Sequence, residues 1–410
     1  WLGHAGWRRK QCSTYYRHSS QENIMRVLQF CGFYPPSIGG IETYVQSLSE
    51  HLILQGHSVT VMSRYLIGEK PPSRVEMRRG VKIIWFTSHR NTPISTITTW
   101  IRILMSATRE EFDVIHAHTV LPITTMGLIL KRLTGKPLVS VIHESQFLFG
   151  MKKRWYRWLA RKSLSGADFV HANSIELKSV AETLNLPKPV HLIGNAVDTQ
   201  QFRPVRKNII RKEISAEEKV QIVITTRRFV PKNGVIYLIK AIPLVLAQAK
   251  NVHFYVIGDG PERNNVEQEI RQLGITAQVT LKGAIRNEEL PMYLNSADLY
   301  VLPSLKEGTS IAGLEAMACG LAMVGTNVGG IPEIITEDVN GYLCMPENPT
   351  DLANAIVHAL KNKKRLGAES SRMVKKYFSW DKRSKEITTI YDTVITAQQS
   401  NNEKSVTKAL

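Results

Sequence analysis

The chain has 410 residues, 43% of them apolar and 21% charged, a balance that suits folded cores and excludes a disordered polymer. One core of that size is improbable, so two domains are expected. The net charge of +18 is concentrated early, with 25 Lys and Arg against 13 Asp and Glu in residues 1–200, which suits an anionic lipid, a nucleic acid or an acidic substrate on the first half.

Four cysteines, Cys12, Cys31, Cys319 and Cys344, stand far apart without paired spacing. That excludes a disulfide scaffold or zinc ribbon and points to a reducing compartment. The most apolar stretch, Val114 to Leu130, is broken by His116, His118 and Pro122, so no membrane-spanning helix is expected.

Residues 1–24 are polar and basic, with no apolar segment of a signal peptide. The character changes at Met25, so 1–24 are read as a non-native or disordered extension and Met25 as the natural start. Val27–Cys31 then reads as a strand, and Ile41–Gln55 as a helix with Tyr44, Leu48 and Leu52 on one face. Gly56 signals its end and Ser58–Met62 the next strand. Further short strands are Val81–Trp85, Val114–His116, Leu138–Ile142, Phe169–Ala172 and Val190–Ile193. After a polar stretch, Asn195 to Lys219, the pattern restarts. Strands Gln221–Thr225, Val252–Ile257, Val279–Leu281, Leu299–Leu302 and Met323–Thr326 alternate with helices Val235–Gln248, Asn264–Leu273, Glu288–Ser296 and Gly313–Ala318. Such alternation predicts an α/β protein with parallel sheets covered on both faces. We read residues 25–200 and 201–375 as two Rossmann-like, doubly wound domains facing across a cleft. A helix in 376–398 returns toward the first, and 399–410 is a disordered tail.

Ligands of doubly wound sheets bind beyond the strands' C-terminal ends, so the loops there carry the candidate chemistry. Gly32 to Glu42 leaves a strand and enters a helix. Its Gly39-Gly40 pair lets a bulky anion approach backbone N–H groups, although the dinucleotide fingerprint is absent. His143-Glu144 follows the strand Leu138–Ile142. Arg227, Arg228 and Lys232 follow Gln221–Thr225 and suit a diphosphate. Gly258-Asp-Gly-Pro261 resembles a phosphate loop but lacks the third glycine. In Pro303 to Gly320, Glu307 and Glu315 stand eight apart, the second on a buried helix. Gly308, Thr309, Ser310 and Ile311 bring N–H groups to the helix start, and the carboxylates suit two sets of sugar hydroxyls.

From about Met25 to Ala397 the chain resembles the retaining glycosyltransferases of family 4, with the GT-B fold. The motifs are Gly39-Gly-Ile-Glu42, His116-Ala-His118, Asn195-Ala-Val-Asp198, Gly258-Asp-Gly-Pro, Ala297-Asp-Leu with Pro303-Ser, the Glu307–Glu315 pair, Gly329-Gly-Ile-Pro-Glu333 and Asn340-Gly-Tyr-Leu. The resemblance implies transfer of a sugar from a UDP- or GDP-sugar to a glycan, lipid-linked or small-molecule acceptor. It implies that Glu307 holds donor-sugar hydroxyls and Glu315 the ribose, and that the backbone at Gly308–Ile311 touches sugar and phosphate. Arg228 and Lys232 would clamp the diphosphate, with Arg227 a second candidate for the clamp. Gly39 and Gly40 would close on the diphosphate, His143 would meet the sugar near the reacting carbon, and Gly283, Ala284 and Ile285 would meet the base. Three departures stand out: adjacent Arg227 and Arg228, Asn233 where the family has Lys before Gly, and Thr309 where an aromatic is common. No Asp-x-Asp motif occurs, so neither metal nor cofactor is expected, the nucleotide-sugar being a co-substrate.

Lys152 to Lys162 holds six cations, three aromatics and no acid, and reads as a helix for an anionic membrane surface or as a solvated scaffold helix. A cytoplasmic protein peripheral to the inner face of the membrane, working in polysaccharide biosynthesis, fits these features. A nucleotide-sugar epimerase of the same fold and a non-catalytic sugar- or lipid-binding relative are the alternatives. No basic-aromatic motif supports nucleic-acid binding.

Overall fold

The computed structural model describes residues 24–409 except 36, 38, 67–73, 89–92, 144, 206–208 and 214–218. The readings placed on residues 1–23 and on Glu144 lie outside the described residues. The first sheet contains β1 (Arg26–Cys31), β2 (Ser58–Leu66), β3 (Val75–Arg78), β4 (Val81–Ser88), β5 (Val114–His118), β6 (Leu138–Ile142), β7 (Phe169–Ala172) and β8 (Val190–Leu192). Their order is β3-β4-β2-β1-β5-β6-β7-β8. Pairing is parallel except between β3 and β4. The second sheet contains β9 (Gln221–Thr226), β10 (Val252–Ile257), β11 (Val279–Gly283), β12 (Leu299–Leu302), β13 (Ala322–Thr326) and β14 (Gly341–Cys344). It is parallel throughout, in the order β11-β10-β9-β12-β13-β14.

The central strands are near-continuous apolar runs because both their faces are covered. Every residue of β5, β6, β12 and β13 is buried. The helix Gly40–Leu54 lays Tyr44, Leu48 and Leu52 into the first core and ends before Gly56, whose φ of 88° suits glycine. In each sheet the winding reverses at its first strand, between β1 and β5 and between β9 and β12. A crevice opens at such points, which places the loops after β1, β5, β6, β9 and β12 where ligands bind.

Two chain crossings between the lobes lie side by side. Val197 N donates to Phe378 O at 2.8 Å and Trp380 N to Val197 O at 3.1 Å. The helix Trp380–Ala409 then returns to the first sheet, where Tyr391 Oη is 2.7 Å from His116 Nδ1 and Trp380 meets Tyr44 edge-on at 4.9 Å. It continues through residues 399–409, where a disordered tail was expected. No Gly or Pro follows Trp380 to stop it. Among the described residues no helix is long and apolar enough to cross a membrane.

Candidate active site

Glu307 follows β12 on a loop that its neighbours hold in place. Leu305 N and Lys306 N donate to Lys232 O at 2.8 and 3.2 Å, which ties this loop to the one after β9. Gly234, at φ 62°, lies against the Pro303 carbonyl, where a Cβ would collide. Behind Glu307, Gly330 N donates to its carbonyl at 3.2 Å, and Gly329 packs on the same carbonyl. The Gly258-Asp-Gly260 turn likewise abuts the backbone of Arg227 and Phe229, so its glycines serve close packing of two loops.

The two adjacent arginines differ in their surroundings. Arg227 is 8% exposed and forms an ion pair with Glu307. Its Nη2 also lies 2.9 Å from Asn233 Oδ1 and 2.8 Å from Ser304 Oγ. Asn233 in turn donates to Arg228 O at 2.7 Å. Two of the unusual positions, Arg227 and Asn233, therefore touch each other, and Arg227 holds the carboxylate. Arg228 and Lys232 are exposed, and among the described residues neither has a carboxylate partner.

Ser310 caps the helix Ile311–Ala318, its hydroxyl accepting from Gly313 N at 3.2 Å. Glu315 lies inside that helix, 5% exposed, and accepts from Asn287 Nδ2 at 3.1 Å. Burial pushes its carboxyl up to about 7, and the Asn287 bond opposes the rise. Asn287 lies four residues beyond Gly283, which ends β11 at φ 80°, so Glu315 shares its side of the cleft with Gly283, Ala284 and Ile285.

Across the cleft, Gly40 opens the helix after β1, and a Cβ there would stand 3.9 Å from Ile311 Cδ1. This brings the first lobe's paired glycines against the helix start of the second. His143 lies just past β6 and lines a cavity of about 70 Å³ with Thr119, Val120, Leu121, Ile142, Phe147 and Tyr156. Its pKa falls to about 3 through desolvation, and burial with neighbouring imidazoles also depresses those of His116, His118 and His171. Burial thus favours the neutral form of these imidazoles. Among the described residues no three His, Cys, Asp or Glu side chains gather as a metal site.

Further residues bridge the lobes. Asn195 Nδ2 donates to Thr309 O at 2.7 Å, and the Thr309 hydroxyl donates to Asn173 O at 2.9 Å. Ile175 N donates to Glu333 Oε1 at 3.0 Å. Asn195 and Glu333 lay in motifs noted in the sequence, and Asn233 stood out there as a departure from the family, whereas Asn173 and Asn287 were not singled out. Their one signal is a polar residue placed in a loop shortly after a strand.

The Glycosyl transferases group 1 profile matches residues 206–378, and the Glycosyltransferase Family 4 profile matches 38–201. The GPI3 subunit of phosphatidylinositol N-acetylglucosaminyltransferase from Saccharomyces cerevisiae is 27% identical over 391 residues, 92% of this chain and 85% of that protein. N-acetyl-alpha-D-glucosaminyl L-malate synthase from Bacillus anthracis is 28% identical over 296 residues, 70% and 75% of the two chains. The crystal structure of Anabaena HepE in complex with UDP-glucose superposes with a TM-score of 0.73 at 21% identity, covering 90% of this chain and 100% of that one. It has the same fold.

Proposed function

The chain belongs to the family 4 glycosyltransferases with the GT-B fold, and from that premise we propose that it transfers a sugar from a UDP-sugar to a lipid-carried acceptor, retaining configuration and needing no divalent metal. The observation that carries the reading is the Arg227-held Glu307 carboxylate beside the Ser310-capped helix start, with the exposed Arg228 and Lys232 on the adjoining loop.

Glu307 accepts hydrogen bonds from donor-sugar hydroxyls, and Glu315 accepts them from the ribose. The base rests against the backbone of Gly283, Ala284 and Ile285. Gly39 and Gly40 let the first lobe approach the diphosphate. As the bond from the anomeric carbon to the phosphate oxygen breaks, its electron pair leaves with the nucleoside diphosphate. Arg228, Lys232 and the amides of Gly308–Ile311 stabilise that charge. The acceptor oxygen bonds to the same face of the carbon, and its proton passes to the departing phosphate oxygen. Fixed cations take the place of a metal. Neutral His143, whose ring nitrogens bond to Asn173 and His118, flanks the sugar with its ring edge.

The lipid acceptor is supported by the surface beside His143. The helix Arg154–Ser165 exposes Trp155 (62%) and Trp158 (63%) among its cations, while its Tyr156 forms a wall of the His143 cavity. Such a face seats on anionic lipid. The GPI3 relative is named for phosphatidylinositol as acceptor, and both relatives for N-acetylglucosamine. The UDP donor is supported by the UDP-glucose in the HepE structure. The test is transfer from UDP- and GDP-sugars to phosphatidylinositol in vesicles and to small hydroxy acids. Turnover of GDP-sugars alone, or of small acceptors alone, refutes the corresponding half.

A further inference from the structure

A chain of hydrogen bonds crosses the cleft with only one workable direction. A backbone carbonyl can only accept, so Thr309 O obliges Asn195 to present its amide nitrogen, 2.7 Å away. That turns Asn195 Oδ1 toward Asn173 Nδ2, at 3.4 Å. The same Asn173 nitrogen lies 3.2 Å from His143 Nδ1, which therefore bears a lone pair. The proton of neutral His143 sits on Nε2, 3.3 Å from His118 Nδ1. His118 is left with its proton on Nε2, 2.9 Å from Gln29 Oε1. Each hydrogen bond from Asn195 to His118 thus pairs a donor with an acceptor. Turning Asn173 over would set its oxygen against both Asn195 Oδ1 and a ring nitrogen. The His143 and His118 rings are near parallel, 13° apart with centroids at 5.6 Å, so their nitrogens meet end to end. Asn173, Asn195 and Thr309 are each under a tenth exposed, which shields the chain from water.

We propose that Asn173 and Asn195 are positioning residues for sugar transfer, fixing His143 as its Nε2–H tautomer by tethering it to the backbone of the donor-sugar loop. The inference rests on the function proposed above. With Nδ1 occupied and Nε2 protonated, His143 has no basic nitrogen to offer an acceptor hydroxyl, in keeping with proton transfer to the departing phosphate. The tether also spans the lobes. Through Asn173 and Asn195 the position of His143 is coupled to Thr309 of the second lobe.

The full-length protein labelled with 15N-histidine tests this, with His143→Phe assigning the signals. At pH 7, His143 should show an unprotonated Nδ1 and a protonated Nε2. In Asn173→Asp the pattern should reverse, because a carboxylate accepts from Nδ1–H. Asn173→Asp, and Asn195→Asp, which cannot donate to Thr309 O, should each lower kcat roughly ten- to hundredfold. UDP affinity should change little, whereas thermal stability should fall, because each carboxylate is buried beside an oxygen acceptor. A wild-type His143 protonated on Nδ1, or on both nitrogens, overturns the assignment even if a variant fails to fold. Unchanged kcat in both variants, with transfer intact in the wild type, overturns the positioning role. Absence of transfer by the wild type overturns the functional reading and that role together, while the spectrum still decides the tautomer.

Discussion

Replacing Glu315 with Gln should stabilise the ligand-free protein above neutral pH while weakening its hold on nucleotide. The carboxyl is 5% exposed, with Asn287 Nδ2 at 3.1 Å as its partner, and burial raises its pKa from 4.5 to about 7. Below about pH 4.5 the proton is bound in folded and unfolded chains alike, and burial of this group costs little. As pH rises from there to about 7, the unfolded chain ionises first, and the folded state loses relative stability. Above about 7 the loss levels off at about 3 kcal/mol, taking roughly 1.4 kcal/mol per tenfold change in proton affinity. A neutral amide avoids that loss but must satisfy its own NH₂ group, at about 1 kcal/mol. The net gain should be about 2 kcal/mol at pH 8 and close to zero at pH 5. Urea unfolding of both proteins at the two pH values measures it. Ribose hydroxyls donate best to an ionised carboxylate, so wild-type UDP affinity should tighten as pH rises toward 7. Glu315→Gln should bind roughly tenfold more weakly, without that dependence. A stability difference that is the same at pH 5 and pH 8 would refute the raised carboxyl. Unchanged UDP affinity would remove Glu315 from the nucleotide.

The sheets were legible because their strands are uniform apolar runs between polar loops, and such runs lie inside parallel sheets. β3 and β14 were not: both are four-residue edge strands with one neighbour, and Val75–Arg78 alternates exposed and half-buried residues. The helix Pro349–Met373 was passed over although its start signal is present: Asn348 accepts from Asp351 N at 3.0 Å, and Pro349 follows the cap. Glu307 and Glu315 stand out in the sequence because two carboxylates around a small-residue helix start are seldom surface residues, and the structure buries Glu315 and pairs Glu307 with Arg227. The choice between Arg227 and Arg228 could not be made there. Adjacent side chains on an irregular loop point in directions that depend on backbone dihedrals, and here one is driven inward onto Glu307 while the other stays in solvent. Thr309 illustrates the same limit. Its replacement of an aromatic was visible, but its bonds to Asn173 and Asn195 depend on residues 136 and 114 positions away.

If Arg228 and Lys232 supply the cationic charge as proposed, transfer should survive EDTA; activity lost to chelation and restored by Mg²⁺ or Mn²⁺ would contradict this. The product should keep the donor's anomeric configuration, and an inverted product by NMR would require a general base. Trp155→Ala with Trp158→Ala should abolish sedimentation with phosphatidylcholine–phosphatidylglycerol vesicles while leaving UDP binding intact; retained sedimentation would remove this helix from the membrane surface. The Arg227–Glu307 pair separates stability from chemistry. Removing one partner of a largely buried ion pair strands the other charge, so Arg227→Gln and Glu307→Gln should each destabilise the fold by about 2–4 kcal/mol. The double variant strands neither charge and should recover most of that loss. Glu307→Gln should also cut kcat by about 10²–10³, because a charged hydrogen bond to the donor sugar is lost in the transition state. That deficit should persist in the double variant, since no carboxylate returns. Urea unfolding beside initial-rate kinetics on the three variants decides it. If kcat recovers together with stability, Glu307 is a structural partner of Arg227 and not the residue that grips the sugar.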